Sequence, residues 1–207
     1  GHPGQGAAYV FVKPSSGTWR DARLATILSV GQGQAGDAFG LAVTVAGNTI
    51  AVAAPLVTSG SYNHEGAVYL FEKPPGGWSN IHHPTARLSP SAPAAGDLFG
   101  SSLASQSDTI VVGSPGHVVG QHYGQGAAYV FVRPQTGWAA RNTEDRELTA
   151  TNGDAYAELG YSVALSGSKV VAGAPYDQIN GQPGQGSAYL FVKPSSGWQH
   201  AKEQARF

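Results

Sequence analysis

An all-β fold, built from four-stranded units that repeat every 60 residues, is what this 207-residue sequence predicts, and three observations carry the prediction. Tyr9, Tyr69, Tyr129 and Tyr189 hold a constant step of 60 residues, and the same step links Phe39, Phe99 and Leu159, and again Pro55, Pro115 and Pro175. A fixed period of that length marks stacked or radially arranged supersecondary units. The stretch GQGAAYVFVKP at 4–14 returns as GQGAAYVFVRP at 124–134 and GQGSAYLFVKP at 184–194, with a looser copy, EGAVYLFEKP, at 65–74. Finally, no segment has sustained helical periodicity, whereas short β-branched and aromatic runs are punctuated by 29 glycines and 13 prolines.

Within one period four strands can be placed in order. Strand one is GLAVTV (40–45), closed by the short connection AGN, for which SQSD and SGS stand in the next two repeats; such connections are hairpin chemistry. Strand two, TIAVAA (49–54), is a continuous apolar run stopped by Pro55. Strand three, AVYLFE (67–72), is the aromatic copy of the repeated stretch, and strand four is less regular, around TARLS (85–89). Four-stranded units at this period predict β-propeller blades, with strands one and two lining the centre and strands three and four outside them.

Residues 1–207 then form a single propeller region: a half blade of strands three and four at 1–36, blades at 37–96 and 97–156, and a blade with a truncated fourth strand at 157–207. That is about 3.5 blades, fewer than a closed propeller holds. Other copies of the chain or further blades are therefore the expected partners. Two chains do not close simply, because both half blades carry strands three and four. Unpaired edges are templates for association, and a head-to-tail contact that does not close makes a filament. The absence of methionine, including at position 1, marks a processed product or an excised segment.

Composition narrows the function classes. Charged residues make up 12% and the net charge is −1, with no block of either sign, so a footprint for nucleic acid or anionic membrane is not expected. No apolar run approaches the length of a membrane span, and the first residues do not read as a signal peptide. Without cysteine there is neither a disulfide framework nor a thiolate metal site.

Phe39-Gly40 and Phe99-Gly100, each followed by Ala53-Ala54-Pro55 or Gly113-Ser114-Pro115, resemble the FG-GAP repeat. The third copy keeps Gly173-Ala174-Pro175 but has Leu159-Gly160 in place of Phe-Gly. The resemblance covers essentially the whole chain. It implies the propeller of integrin α-chains, of secreted bacterial proteins and of some fungal lectins, hence a secreted or cell-surface location and a role in adhesion, ligand recognition or carbohydrate binding. Integrin-type repeats often carry an Asp-rich calcium loop between strands one and two. Here AGN, SQSD and SGS offer Asp108 as their only carboxylate, too few oxygens for calcium, so no cofactor is expected. Asp37 and Asp97 recur singly before Phe-Gly and read as turn or capping residues.

Several catalytic motifs dissolve against the period. GQGQAG (31–36) matches a dinucleotide fingerprint, but no helix follows, and SAPAAG (91–96) stands in its place one repeat later. GYSVA (160–164) approaches a nucleophile elbow, yet its counterparts GLAVT and GSSLA make Ser162 a strand residue. The adjacent His82 and His83 would face opposite sides of an extended strand and read as solvated loop residues. No paired carboxylates and no Ser/His/Asp set recur, so an enzyme is not expected.

Surface is what remains. The loops between strands two and three, LVTSGSYNHE (56–65), GHVVGQHYGQ (116–125) and YDQINGQPGQ (176–185), vary while their flanks stay fixed. Their aromatic and amide side chains suit neutral polar ligands such as sugars. Tyr62, Asn63, His64, His117, His122, Tyr123, Tyr176, Asp177 and Asn180 are the candidate contacts. Trp19, Trp78, Trp138 and Trp198, one per unit, are either stacking platforms or packing against a blade edge, whereas Tyr9 and its equivalents read as core. The leading reading is a glycan- or glycoprotein-binding module. A self-assembling structural protein and an integrin-like protein-binding module are the alternatives, the last weakened by the missing calcium loops.

Overall fold

The computed structural model describes residues 2–60, 62–80, 83–140 and 143–207, so His82 lies outside the described residues. Its strands form one two-stranded and three four-stranded antiparallel sheets, each in sequence order. The half blade pairs β1 (Ala8–Val12) with β2 (Arg23–Leu28). The first full blade holds β3 (Val43–Ala46), β4 (Thr49–Ala54), β5 (Ala67–Glu72) and β6 (Ala86–Leu88). The second holds β7 (Ser102–Gln106), β8 (Thr109–Ser114), β9 (Ala127–Val132) and β10 (Arg146–Leu148). The third holds β11 (Ser162–Ser166), β12 (Lys169–Ala174), β13 (Ser187–Val192) and β14 (Lys202–Arg206). These are propeller blades, as the period predicts.

Strands one and two join through two-residue turns, Gly47-Asn48, Ser107-Asp108 and Gly167-Ser168, whose first residue has positive φ in each case. Strand one lies at the centre. The Thr44 and Ser105 hydroxyls meet at 2.7 Å across β3 and β7, and the Gln106 amide oxygen accepts from the Gly167 N–H at the head of the next blade. Strand two does not share the central lining. It is the buried middle of its sheet, hydrogen-bonded on both sides, which is why it is apolar at nearly every position in β4.

Two boundaries differ from the sequence reading. In the first blade the regular strand one starts at Val43 rather than residue 40; Gly40, at φ +98°, turns the chain into it and already donates its N–H to the Ala53 carbonyl at 2.8 Å. The fourth strand of the third blade is not truncated. Lys202–Arg206 is a five-residue strand with alternating burial, longer than the three-residue β6 and β10. It follows directly on the 3₁₀ turn Trp198–His200 and continues through a bulge opposite Leu190/Phe191, as β2 does opposite Val10/Phe11.

The core lies between blades. One cluster joins Leu28 of the half blade to Phe39, Ile50 and Phe71 of the first; a second joins Leu88 to Phe99, Phe131 and Trp138; a third joins Leu148 to Leu159, Phe191 and Trp198. The tryptophans therefore pack toward the fourth strand of the preceding blade. Phe99 stands edge-on to Tyr129 and Phe131, with centroids 5.6 and 5.9 Å away, and Phe39 meets Tyr69 and Phe71 similarly.

The repeated Gly of the GQG stretch makes the seam. Gly6, Gly66 and Gly126, all at positive φ, form parallel bridges to Phe39, Phe99 and Leu159 of the following blade. A Cβ there would lie 2.0, 2.1 and 2.2 Å from the carbonyl oxygen of those partners, so only glycine fits. At the second-to-third seam Tyr156, Glu158 and Leu159 donate their N–H groups to the carbonyls of Tyr123, Gly124 and Gln125 at 2.8, 3.0 and 2.9 Å. The same three bonds recur at the other seams, from Gly36, Ala38 and Phe39 and from Gly96, Leu98 and Phe99. Ala38, Leu98 and Glu158 adopt φ of +55° to +58° to make them.

Candidate functional site

Each loop between strands two and three is a small hairpin, not a slack connection. Ser59 and Tyr62, Val119 and His122, and Ile179 and Gln182 exchange both backbone hydrogen bonds across two-residue tips. Gly60, Gly120, Asn180 and Gly181 supply the positive φ that such tips require. The C-terminal part of each of the first two loops then carries the carbonyls of the seam, so these loops are fixed against the next blade.

That arrangement sorts the candidate residues. Tyr62, Asn63, His64, His122, Tyr123, Tyr176 and Asn180 are exposed on the loops. Asp177 is fully buried, accepting the Tyr189 hydroxyl and pairing with Arg206 at 2.9 Å. His117 is held by Asp97 at 3.1 Å and Glu147 at 3.2 Å. Trp138 and Trp198 are buried in the inter-blade core and Trp78 is partly buried there, whereas Trp19 is 72% exposed. Asp177, His117, Trp138 and Trp198 are thus corrected from ligand contacts to structural residues: each is enclosed by packing or by partners that already use its polar atoms. Tyr9 is corrected in the other direction. It is 59% exposed, because among the described residues β1 pairs with β2 alone, while Tyr129 and Tyr189 are core.

Charges are settled within blades and, at one point, between them: Arg133 of the second blade pairs with Glu72 of the first at 2.6 Å. The Asp37 and Asp97 carboxylates accept the N–H of Gln34 and Ala94 at 2.7 Å, closing the turn before Phe-Gly. In the first blade Arg87 pairs with Glu65 at 2.9 Å. Burial alone would lower the His117 pKa, but hydrogen bonds to Asp97 and Glu147 outweigh it and raise it to about 9. Burial pushes the Tyr129 and Tyr189 hydroxyls above the ordinary range, and the Asp177 carboxylate adds to the shift at Tyr189. Among the described residues no three His, Asp or Glu side chains are grouped so as to hold a metal ion.

The first and second loops each meet the link that enters the next blade. Between the second loop and the third blade's link lies an open polar cavity of about 630 Å³, lined among others by Gln121, His122, Thr151, Asn152 and Asp154. Its floor is pinned by the buried Gln125, whose amide donates to the Ala150 carbonyl at 2.9 Å. Beside it Tyr123 and Tyr156, both largely exposed, are joined by the seam bond, and the Tyr156 ring lies across Gly124, where a Cβ would come within 3.3 Å of it. Tyr161 and Tyr176 form an exposed edge-to-face pair with centroids 6.4 Å apart. A smaller groove of about 230 Å³ runs between β10 and β14, with Arg146, Glu147, Lys202 and Glu203 on its walls.

Thr151, Asn152, Asp154, Tyr156 and Tyr161 escaped the sequence reading, which assigned 151–156 to the end of a blade. Their signal was the period itself: they directly precede or follow the Leu-Gly that the seam joins to the loop. The FG-GAP repeat family model matches residues 25–71, 83–131 and 143–191. Each match starts near the fourth strand of one blade and ends at the third strand of the next, so the family unit spans a seam. No curated protein matches the chain.

Proposed function

The chain belongs to the FG-GAP repeat family, an adhesion-type propeller module, and from that membership and its rim we propose an extracellular, non-catalytic protein that recognises carbohydrate or glycoprotein. The observation that carries this reading is the cavity where the second loop meets the third blade's link. It presents amides, a hydroxyl, an imidazole and a carboxylate, Gln121, Asn152, Thr151, His122 and Asp154, on a rigid backbone frame beside two exposed tyrosines. Sugar recognition asks for that chemistry: hydroxyls paired by amides and carboxylates, and C–H faces packed on an aromatic ring. Fixed loops lower the ordering cost of binding a small, hydrated ligand.

A glycan array probed with the folded protein tests the reading, followed by titration of the best glycan. Saturable binding is expected, weakened about tenfold or more by Asn152→Ala and by Tyr156→Ala. An array without saturable binding sinks the carbohydrate reading. Unchanged affinity in both variants moves the site away from this cavity.

A further inference from the structure

The link that enters the third blade departs from the other two links in ways that bear on the charge of the ligand, an inference that rests on the carbohydrate reading of the rim cavity. In the first two links an aspartate closes the turn before Phe-Gly, Asp37 on the Gln34 N–H and Asp97 on the Ala94 N–H. The third link has Ala157 in that place and carries a carboxylate three residues earlier, at Asp154. The turn forms without the cap, since Ala157 still donates its N–H to the Asp154 carbonyl at 3.3 Å, as Asp97 does to the Ala94 carbonyl. The Asp154 carboxylate is therefore released from the turn. Asp154 is partly buried, lines the cavity and has no hydrogen-bond or ion-pair partner among the described residues.

The same link holds a second exchange. Gly36 and Gly96 make the first backbone bond of their seams at φ +87° and +81°; Tyr156 makes the equivalent bond at φ +62°. A bulky side chain is strained in that region and glycine is not. Burial does not offset the strain, for the Tyr156 ring is 67% exposed beside the cavity. Of the residues that line the cavity, Asp154 is the only aspartate, glutamate, lysine or arginine. A partly desolvated carboxylate with no lysine or arginine on the same wall disfavours an acidic sugar and favours a cation, which supplies the charge-assisted hydrogen bond it lacks. We propose that this cavity selects a glycan with a free ammonium group, an unacetylated amino sugar. Asp154 pairs with the ammonium and decides between sugars, while Tyr156 packs on the adjoining C–H face.

Matched sugars test it: glucosamine and galactosamine oligomers, each against the same oligomer N-acetylated, titrated calorimetrically into the folded chain. The amine-bearing member of a pair should bind about tenfold tighter, the gain of a charge-assisted hydrogen bond over a neutral one, and the preference should shrink at high salt. Asp154→Asn, which keeps the shape of the side chain and removes its charge, should bring the two members to equal affinity. Tyr156→Gly installs the residue of the other two links; it should weaken both members about tenfold with an unfolding midpoint no lower than the parent's, which separates loss of the site from loss of the fold. Equal affinity within both pairs overturns the ammonium and leaves the carbohydrate reading standing. A preference that survives Asp154→Asn overturns the assignment to Asp154. A parent that binds neither these oligomers nor any glycan on the array overturns both.

Discussion

Replacing Gly126 by alanine isolates what holds neighbouring blades together. Two costs are superposed at this residue. Its φ is +83°, which an L side chain adopts at about 1–2 kcal/mol. An added Cβ would also stand 2.2 Å from the Leu159 oxygen and 2.4 Å from its nitrogen, so the seam must open. Opening it gives up the three backbone bonds of Tyr156, Glu158 and Leu159, each worth about 1 kcal/mol net. The expected loss is then about 4–5 kcal/mol, a large share of the total stability of an ordinary domain. Gly120→Ala separates the two costs. Gly120 also has positive φ, +62°, but nothing lies within 4 Å of its would-be Cβ, so only the conformational cost of about 1–2 kcal/mol applies. Gly186 is the third case: its φ of +81° is close to that of Gly126, and the nearest neighbour of its would-be Cβ is its own blade's Pro175 oxygen at 2.9 Å. Its alanine variant must shift that backbone and should fall between Gly120→Ala and Gly126→Ala. Urea unfolding followed by circular dichroism gives all three. If Gly126→Ala loses no more than Gly120→Ala, the glycine is there for its backbone conformation alone and the seam argument is wrong.

Two further predictions rest on side chains. The His117 pKa of about 9 in the fold lies above the ordinary 6.5, so its contribution is complete below about pH 6.5 and fades as pH rises through about 9. At most about 3 kcal/mol is involved; the stability difference between the parent and His117→Gln, measured by urea unfolding, should shrink from pH 6 to pH 10, and a constant difference would refute the charged imidazole. Trp138→Ala should cost about 3–5 kcal/mol and Trp19→Ala less than about 0.5, because the first is 1% and the second 72% exposed. Trp138→Phe should cost much less than the alanine variant, since the buried Trp138 Nε1–H has no acceptor to lose; thermal unfolding ranks the three.

The repeat was legible where side chains make the structure and opaque where backbone does. TIAVAA and AVYLFE were bounded to the residue because an apolar run flanked by turns is what a buried strand looks like. The glycines of GQG were visible as a repeat, but their partner is a carbonyl in the following blade, which no residue type signals. The rim cavity was half seen for the same reason. Its loop side, His122 and Tyr123, stood out by variation, while Thr151, Asn152 and Asp154 looked like a link until the seam set them opposite it. The tryptophans recur at steps of 59, 60 and 60 residues, and the exposed Trp19 differs from Trp138 and Trp198 in having no preceding fourth strand among the described residues, a property of position rather than of the residue. The sequence reading of a truncated fourth strand follows from the few residues that WQHAKEQARF leaves for it, whereas Lys202–Arg206 forms an alternating five-residue strand. It is an outer strand, and polarity is what its solvent face requires.

One pattern across the repeats yields a sharper test than any single site. The strand-four residue opposite the repeated tyrosine is Arg87, Glu147 and Arg206 in successive blades. The equivalent loop position, one period apart, is Val57, His117 and Asp177. Where strand four brings an acid the loop supplies an imidazole, and where it brings a guanidinium the loop supplies a carboxylate, unless Glu65 has already paired it. This polar cluster is thus balanced within its own blade, while blades join through the backbone bonds of the seam and, between the first two, through the Arg133–Glu72 pair. Asp177→His alone should leave Arg206 beside an imidazole that cannot neutralise it and cost about 3 kcal/mol, as removal of one member of a buried pair does. Arg206→Glu alone should leave two carboxylates together at a similar cost. The double variant reproduces the second blade's arrangement and should recover part of the loss, a coupling of about 1–3 kcal/mol in a double-mutant cycle at pH 7. Additive losses would mean that the alternation of sign along the chain is incidental, and that each blade's polar cluster is held by its packing rather than by its charge.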